Sequence, residues 1–75
     1  MSKSPICINV LGDRCPIPVQ KIRKVLKQCS RGKTIHVFAD DPESLHDIPV
    51  LLVRLGLEPA VISEEETGWK FIIRN

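Results

Sequence analysis

Residues 6–18 read ICINVLGDRCPIP, and the apolar pattern changes in the middle of this stretch. Apolar side chains alternate from Ile6 to Leu11, which is the period-two spacing of a β-strand. Gly12 and Asp13 interrupt the alternation, and from Pro16 onward apolar residues recur at helical spacing. The stretch predicts a strand that turns directly into a helix.

The rest of the sequence adds a second strand, a second helix and a terminal hairpin. Residues 34–39 alternate as a strand, and ADDPES (residues 39–44) suits a helix start. Because Pro49 has no N–H, we expect the regular second helix to begin just before it or to bend there. Residues 60–63 and 69–74 flank the polar turn EEETG and predict a hairpin.

The element order β-α-β-α-β-β limits the architecture. Right-handed crossovers between parallel strands place both helices on the same face of the sheet. We therefore expect a single domain over residues 1–75, an α/β (α+β) two-layer sandwich whose four-stranded mixed sheet carries two helices on one face. The apolar stripes expected to face the sheet are Ile22, Val25, Leu26 and Cys29 in the first helix and Leu45, Ile48, Leu52 and Leu55 in the second.

The composition argues against several classes of function. The net charge is only +2 and there are three aromatic residues, one Trp and two Phe, so direct nucleic-acid binding is not expected. No apolar run approaches the ~18 residues of a membrane span, and the first residues lack the apolar core of a signal peptide. We expect a monomer in the reducing cytoplasm, where free thiols persist.

Cysteine spacing singles out one thiol. Cys7, Cys15 and Cys29 form no C-x-x-C pair and no metal-ligand motif with the histidines, so no metal site is expected. Cys7 falls on the opposite side of its strand from Ile6 and Ile8, and Cys29 falls on the apolar stripe of the first helix. Cys15 alone is predicted at the junction between strand and helix.

The two prolines after Cys15 suit the start of a helix. We place Cys15 at the N-cap, Pro16 at the first helical position and Pro18 at the third, where a missing N–H breaks no helical bond. Ile17 and Val19 are then the nearest free amide donors.

The charges around Cys15 favour a moderately activated thiolate. The positive end of the helix dipole and the neighbouring Arg14 stabilise the anion, and Asp13 opposes them. Cys15 is therefore the predicted catalytic residue, with Arg14, Pro16, Ile17, Pro18 and Val19 in positioning or activating roles. The alternative, purely structural interpretation is that Cys15 only caps the helix.

The remaining polar candidates are assigned to partner binding. The basic face of the first helix could attract an acidic partner, although most such faces are only solvated. Asp40 and Asp41 are expected to cap the second helix. The partner-binding candidates are Lys21, Lys24, Asp40, Asp41, Pro42 and His46.

Over nearly its whole length the sequence resembles the TusA (SirA-like) sulfur-carrier family. The resemblance is carried by GDRCPIP (12–18), ADDPES (39–44), DIPVLL (47–52) and GWKFIIRN (68–75). It implies a β-α-β-α-β-β sandwich in which Cys15 accepts sulfane sulfur from a cysteine desulfurase or rhodanese-like donor. Cys15 would hold that sulfur as a persulfide, with no other cofactor, and pass it to an acceptor protein. In the family's namesake the relay ends in 2-thiolation of tRNA wobble uridine, and relatives serve other sulfur pathways.

Two other functions remain open at this point. A non-catalytic regulatory or redox-sensing module would use Cys15 as an oxidisable thiol or would simply bind a partner. An RNA-binding α/β domain would rest on the basic residues of the first helix alone.

Overall fold

The computed structural model describes residues 5–14 and 16–75. Its six elements follow the predicted order β-α-β-α-β-β. They are β1 (Ile6–Asn9), α1 (Ile17–Gln28), β2 (Thr34–Ala39), α2 (Ser44–Arg54), β3 (Val61–Glu65) and β4 (Gly68–Arg74). The observed bounds of β2 are those predicted from its alternation.

The strands form one mixed sheet in the order β1-β2-β4-β3. β1 runs parallel to β2, with Ile8 beside Val37, and β4 runs antiparallel to both β2 and β3. This order could not be derived from the sequence, since β4 is inserted between β2 and β3. It makes β2 and β4 the two inner strands.

One face of the sheet and both helices enclose the hydrophobic core. The sheet contributes alternate residues such as Val37 and Phe71, and the helices contribute Ile22, Ile48 and Leu52, all fully buried. The predicted two-layer sandwich with both helices on one face is confirmed. The other face of the sheet has no covering layer among the described residues, and Cys7 is exposed there.

The second helix departs from its prediction. It begins at Ser44, five residues before Pro49, after a turn in which the Ser44 N–H donates to the Asp41 carbonyl at 2.9 Å. Pro49 lies inside the helix, where its missing N–H removes a single backbone bond. The expectation of a start just before Pro49 is therefore wrong, because the preceding turn lets the helix begin at Ser44. The alternative, a bend at Pro49, stays a prediction.

The buried face of α2 also differs in part from its prediction. Leu45 and Leu55, expected in the buried stripe, are 37% and 39% exposed. The residues of α2 that are buried are Ser44, Ile48, Leu51 and Leu52. Within the described part of the chain, neither helix has the length and apolar character needed to cross a membrane.

Gly68 sets where β4 begins. Its φ is +153°, and a Cβ at this position would overlap the carbonyl oxygen of Ala39 and lie 2.9 Å from the Cα of Asp40. Only glycine allows β4 to approach the end of β2 this closely. The backbone that carries Asp40 is thereby fixed against the hairpin.

Candidate functional site

A tight turn follows β1 and leads toward α1. The Asp13 N–H donates to the Val10 carbonyl at 3.0 Å, and Gly12 lies at the third position of this turn with φ +84°. A positive φ at that position is the mark of a type II turn and favours glycine. The glycine of the GDRCPIP segment therefore shapes the loop that leads to position 15.

The loop after β2 is joined to this turn. The Gly12 N–H donates to the Asp40 carboxylate at 3.0 Å, across 28 residues of sequence. Both loops leave the carboxyl ends of adjacent parallel strands, which is where open α/β sheets place their sites. Gly12–Arg14 and Asp40–Pro42 line a shallow cavity of about 180 Å³ between the loops. The structure thus places the Asp40–Pro42 loop beside the segment that contains Cys15.

Neither Asp40 nor Asp41 caps α2 as predicted, because the N-cap is Glu43 and has no side-chain cap hydrogen bond. The Asp40 carboxylate binds the Gly12 amide instead, whereas the Asp41 carboxylate accepts from the Glu43 N–H at 3.1 Å at the turn before α2. Asp40 follows β2, and the loop that contains Gly12 follows the parallel neighbour β1, so the Gly12 amide lies within reach of the Asp40 carboxylate. No local sequence pattern indicates this contact, because it depends on which strands are neighbours in the sheet.

Cys15 itself lies outside the described residues. On either side of it, Arg14 and Pro16 are exposed. The Ile17 N–H donates to the Arg14 carbonyl at 2.9 Å, so the prediction that Ile17 offers a free amide is wrong. The role of Cys15 as the reactive thiol stays a prediction.

The first helix starts one residue later than predicted. Its N-cap is Pro16, with φ −96° and ψ 10°, and its first residue is Ile17. The Ile17 N–H bonds back to the Arg14 carbonyl in a turn before the helix. The first bond of the helix itself runs from the Gln20 N–H to the Pro16 carbonyl, at 3.0 Å. The assignment of Cys15 to the N-cap and of Pro16 and Pro18 to the first and third positions is therefore wrong. Pro18 is the second residue, still in the turn that tolerates proline, and it is buried.

The charges near the loop are partly paired. Lys21, one turn into α1, contacts the Asp13 carboxylate at 2.6 Å, in a pair that remains partly exposed. Among the described residues Arg14 has no ion-pair partner. Asp13 is thus offset by Lys21, and the Arg14 cation next to position 15 stays available.

The other predicted partner-binding residues are on the surface around this end. Pro42 lines the cavity, Lys24 is exposed on α1, and His46 is exposed in the first turn of α2. His46 and Lys24 do not line the cavity between the two loops. Val19 is half-buried in the first turn of α1. Binding roles for these residues stay predictions.

The two other cysteines belong to parts of the fold other than this loop. Cys7 lies beside His36 on the open face of the sheet. Cys29 is half-buried at the end of α1, where its Sγ accepts from the side-chain amide of Asn75 at 3.0 Å. Among residues 5–14 and 16–75, no group of His, Cys, Asp and Glu is arranged to hold a metal ion.

The comparisons with known proteins agree with this architecture. The profile of the family described as "Sulfurtransferase TusA" matches residues 6–75. The chain belongs to the TusA family. Two curated proteins of Archaeoglobus fulgidus, each named as a candidate sulfur carrier protein, are relatives. One is 35% identical, over 89% of this chain and 88% of its own length, and the other is 29% identical, over 92% and 94%.

A solved structure shows the same fold. The crystal structure of a SirA-like protein from Desulfitobacterium hafniense superposes with a TM-score of 0.77 at 26% identity, covering 89% of this chain and 90% of that one. Membership of the TusA family makes sulfur transfer, with donor and acceptor proteins as partners, the function class of this chain. The resemblance noted in the sequence is confirmed.

Proposed function

We propose that this TusA-family protein carries sulfur as a persulfide on Cys15. The observation that carries the proposal is the family match over residues 6–75, which includes the Arg14-Cys15-Pro16 segment at an exposed strand-to-helix turn. Arg14 and Pro16, the sequence neighbours of Cys15, are both exposed, which supports a role for this segment in contact with partner proteins.

The uptake step is a thiol–persulfide exchange. The Cys15 thiolate attacks the outer sulfur of a donor persulfide, the S–S bond in the donor breaks, and the donor cysteine leaves as a thiolate. A new S–S bond then joins Cys15 to the transferred sulfur, with no net oxidation or reduction. A cysteine desulfurase or a rhodanese-like protein supplies such a persulfide.

Delivery repeats the exchange in the other direction. A thiolate of the acceptor protein attacks the outer sulfur on Cys15, and Cys15 leaves as a thiolate. The positive end of the α1 dipole and the Arg14 cation, which has no ion-pair partner within residues 5–14 and 16–75, favour the thiolate in both steps. We further propose that the acceptor belongs to a sulfur relay such as tRNA 2-thiouridine synthesis, and that the protein works in the cytoplasm as a monomer.

Intact mass spectrometry tests the persulfide. The protein is incubated with cysteine, a cysteine desulfurase and pyridoxal phosphate, and we expect a reducible gain of about 32 Da per sulfur. Cys15→Ser should abolish the gain. Cys7→Ser and Cys29→Ser are matched controls and should load as the wild type does. If no donor, including a rhodanese with thiosulfate, produced the gain while peroxide oxidised Cys15, the redox-sensing function would replace this one.

A further inference from the structure

A groove runs along the junction between α1 and α2. Near the start of α1 it opens as a cavity of about 380 Å³ that reaches from Pro16 to Leu55. It continues as a second cavity of about 300 Å³ between the ends of both helices, and Leu55 lines both. α1 has 12 residues, so the groove has a length on the order of 18 Å.

The groove has apolar walls that remain partly open to solvent. Val19 and Leu51 lie in its first cavity, together with Val50 and Leu55, which are 38% and 39% exposed. Leu26 and Leu57 continue the apolar lining into the second cavity. Apolar surface left exposed along a concave strip is typical of a site where another segment packs.

Cations border this apolar strip. Arg23 and Arg54 line the first cavity, and Lys27 and Arg31 line the second. All four are exposed, and none has an ion-pair partner among residues 5–14 and 16–75. Asp47 lines the first cavity and is the one acidic side chain among the described residues that line the two cavities. The groove therefore offers a positive rim around an apolar floor.

We propose that this groove binds an acidic amphipathic helix of a sulfur-transfer partner. An amphipathic helix places apolar side chains at i, i+3, i+4 and i+7 into such a groove, and its acidic flanks meet the arginines and lysines of the rim. About 12 helical residues span the length of the groove.

The inference rests on the proposed function and adds the partner's chemistry to it. Pro16 lines the groove at one end and is adjacent in sequence to Cys15. An occupant that extends to that end holds its protein next to Pro16, the sequence neighbour of the proposed carrier residue. Docking through the groove thus orients the partner for the exchange, whereas the loop around position 15 carries out the chemistry.

Fluorescence anisotropy with a defined peptide tests the groove. The probe is a fluorescein-labelled helical peptide of about 14 residues, with leucines at i, i+3, i+4 and i+7 and glutamates elsewhere. Titration uses the Cys15→Ser protein, so the result does not depend on sulfur loading. We expect binding that saturates below about 1 mM and weakens as salt is added. The same peptide with lysines in place of glutamates should not bind.

Single-site variants locate the contact. Arg23→Gln and Arg54→Gln should each weaken binding about threefold, and together about tenfold, with a smaller salt dependence. Lys33→Gln is the matched control, because Lys33 is an exposed cation that lies outside both cavities and is not among the predicted partner-binding residues. It should leave affinity unchanged. Val50→Ser should weaken binding and leave the salt dependence as it was.

Several results would overturn the proposal. They are a failure of the acidic peptide to saturate, equal binding of the lysine peptide, and an equal loss of affinity in Lys33→Gln. Displacement of the peptide by a single-stranded RNA of the same charge would instead make the groove a general polyanion site. Because sulfur loading is measured separately by mass, loss of this proposal and loss of the persulfide proposal are distinguishable.

Discussion

The two ends of the sandwich are joined by different kinds of contact. At the end where both helices finish, the side-chain amide of Asn75 donates to the carbonyls of Leu26 and Cys29 at 3.2 and 3.3 Å. The backbone of Asn75 also bonds to Gly32 and Lys33. At the end that contains position 15, the side-chain links are Gly12 to Asp40 and Lys21 to Asp13, both on exposed groups. We call these the far end and the site end.

The contacts at the two ends therefore differ in how easily they rearrange. Half-buried hydrogen bonds to helix carbonyls are costly to break, because each leaves an unsatisfied acceptor. Exposed polar contacts exchange with water at little cost and rearrange when a partner arrives. The far end thus fixes the layers, and the site end keeps its loops adaptable.

The largest expected effect comes from Gly68, which closely approaches the end of β2 at the site end. Gly68→Ala should lower the free energy of unfolding by at least ~2 kcal/mol, since the new Cβ overlaps the Ala39 backbone. Urea denaturation followed by Trp69 fluorescence measures the loss. Gly12→Ala is the control, because its Cβ would meet nothing within 4 Å and only the positive φ costs energy, about 1–2 kcal/mol. Equal losses in both variants would contradict the close approach.

Removing the far-end amide should come next. Asn75→Ala should cost about 1–2 kcal/mol of stability, because the carbonyls at the end of α1 lose their donor. The rate of sulfur loading on Cys15 should stay at the wild-type value. A variant that loaded sulfur more slowly at a temperature where it is fully folded would show that the two ends are coupled.

Replacing Asp40 should cost less stability than replacing Asn75 but should slow sulfur loading more. Asp40→Ala removes the acceptor for the Gly12 amide and should cost about 0.5–1.5 kcal/mol. Because the turn before Cys15 loses its anchor, sulfur uptake should slow severalfold in the time course measured by mass. Asp40→Asn keeps an oxygen acceptor and should restore most of the rate. If both variants loaded at the wild-type rate, the bridge would have no role in positioning the thiol.

The smallest effect is expected at the exposed ion pair. A double-mutant cycle of Lys21→Met and Asp13→Asn should give a coupling energy of about 0.2–1 kcal/mol. The coupling should disappear at high salt, because exposed charges are screened. A salt-independent coupling above this range would mean that the pair is part of a more rigid site end than we describe.

Local patterns in the sequence predicted much of the fold. The alternation of apolar residues predicted the full length of β2, and helical spacing predicted that Ile22 and Leu26 lie in the core. Such patterns show which face of a strand or helix is buried. In a two-layer sandwich each element buries one face, so the patterns are clear. The position of β4 between β2 and β3 could not be predicted, because pairing of distant strands leaves no periodic trace.

The candidate site was predicted only in part. The type of junction before α1 and the loop beside it were identified from glycine, proline and aspartate. The role of Asp40 was missed because its partner, the Gly12 amide, lies 28 residues away and capping rules consider only nearby residues. The start of α1 was misplaced by one residue because the Ile17 amide turns back to Arg14.

The position of β4 has a consequence for synthesis on the ribosome. β3 has β4 as its only neighbour in the sheet, and β4 also supplies Phe71 and Ile73 to the core. A nascent chain that has not yet released residues 68–74 therefore has neither a closed sheet nor a complete core. Non-local pairing of this kind delays folding until its last participant is available. The thiol at position 15 leaves the ribosome early, but the scaffold that presents it to a sulfur donor forms only after β4 has emerged.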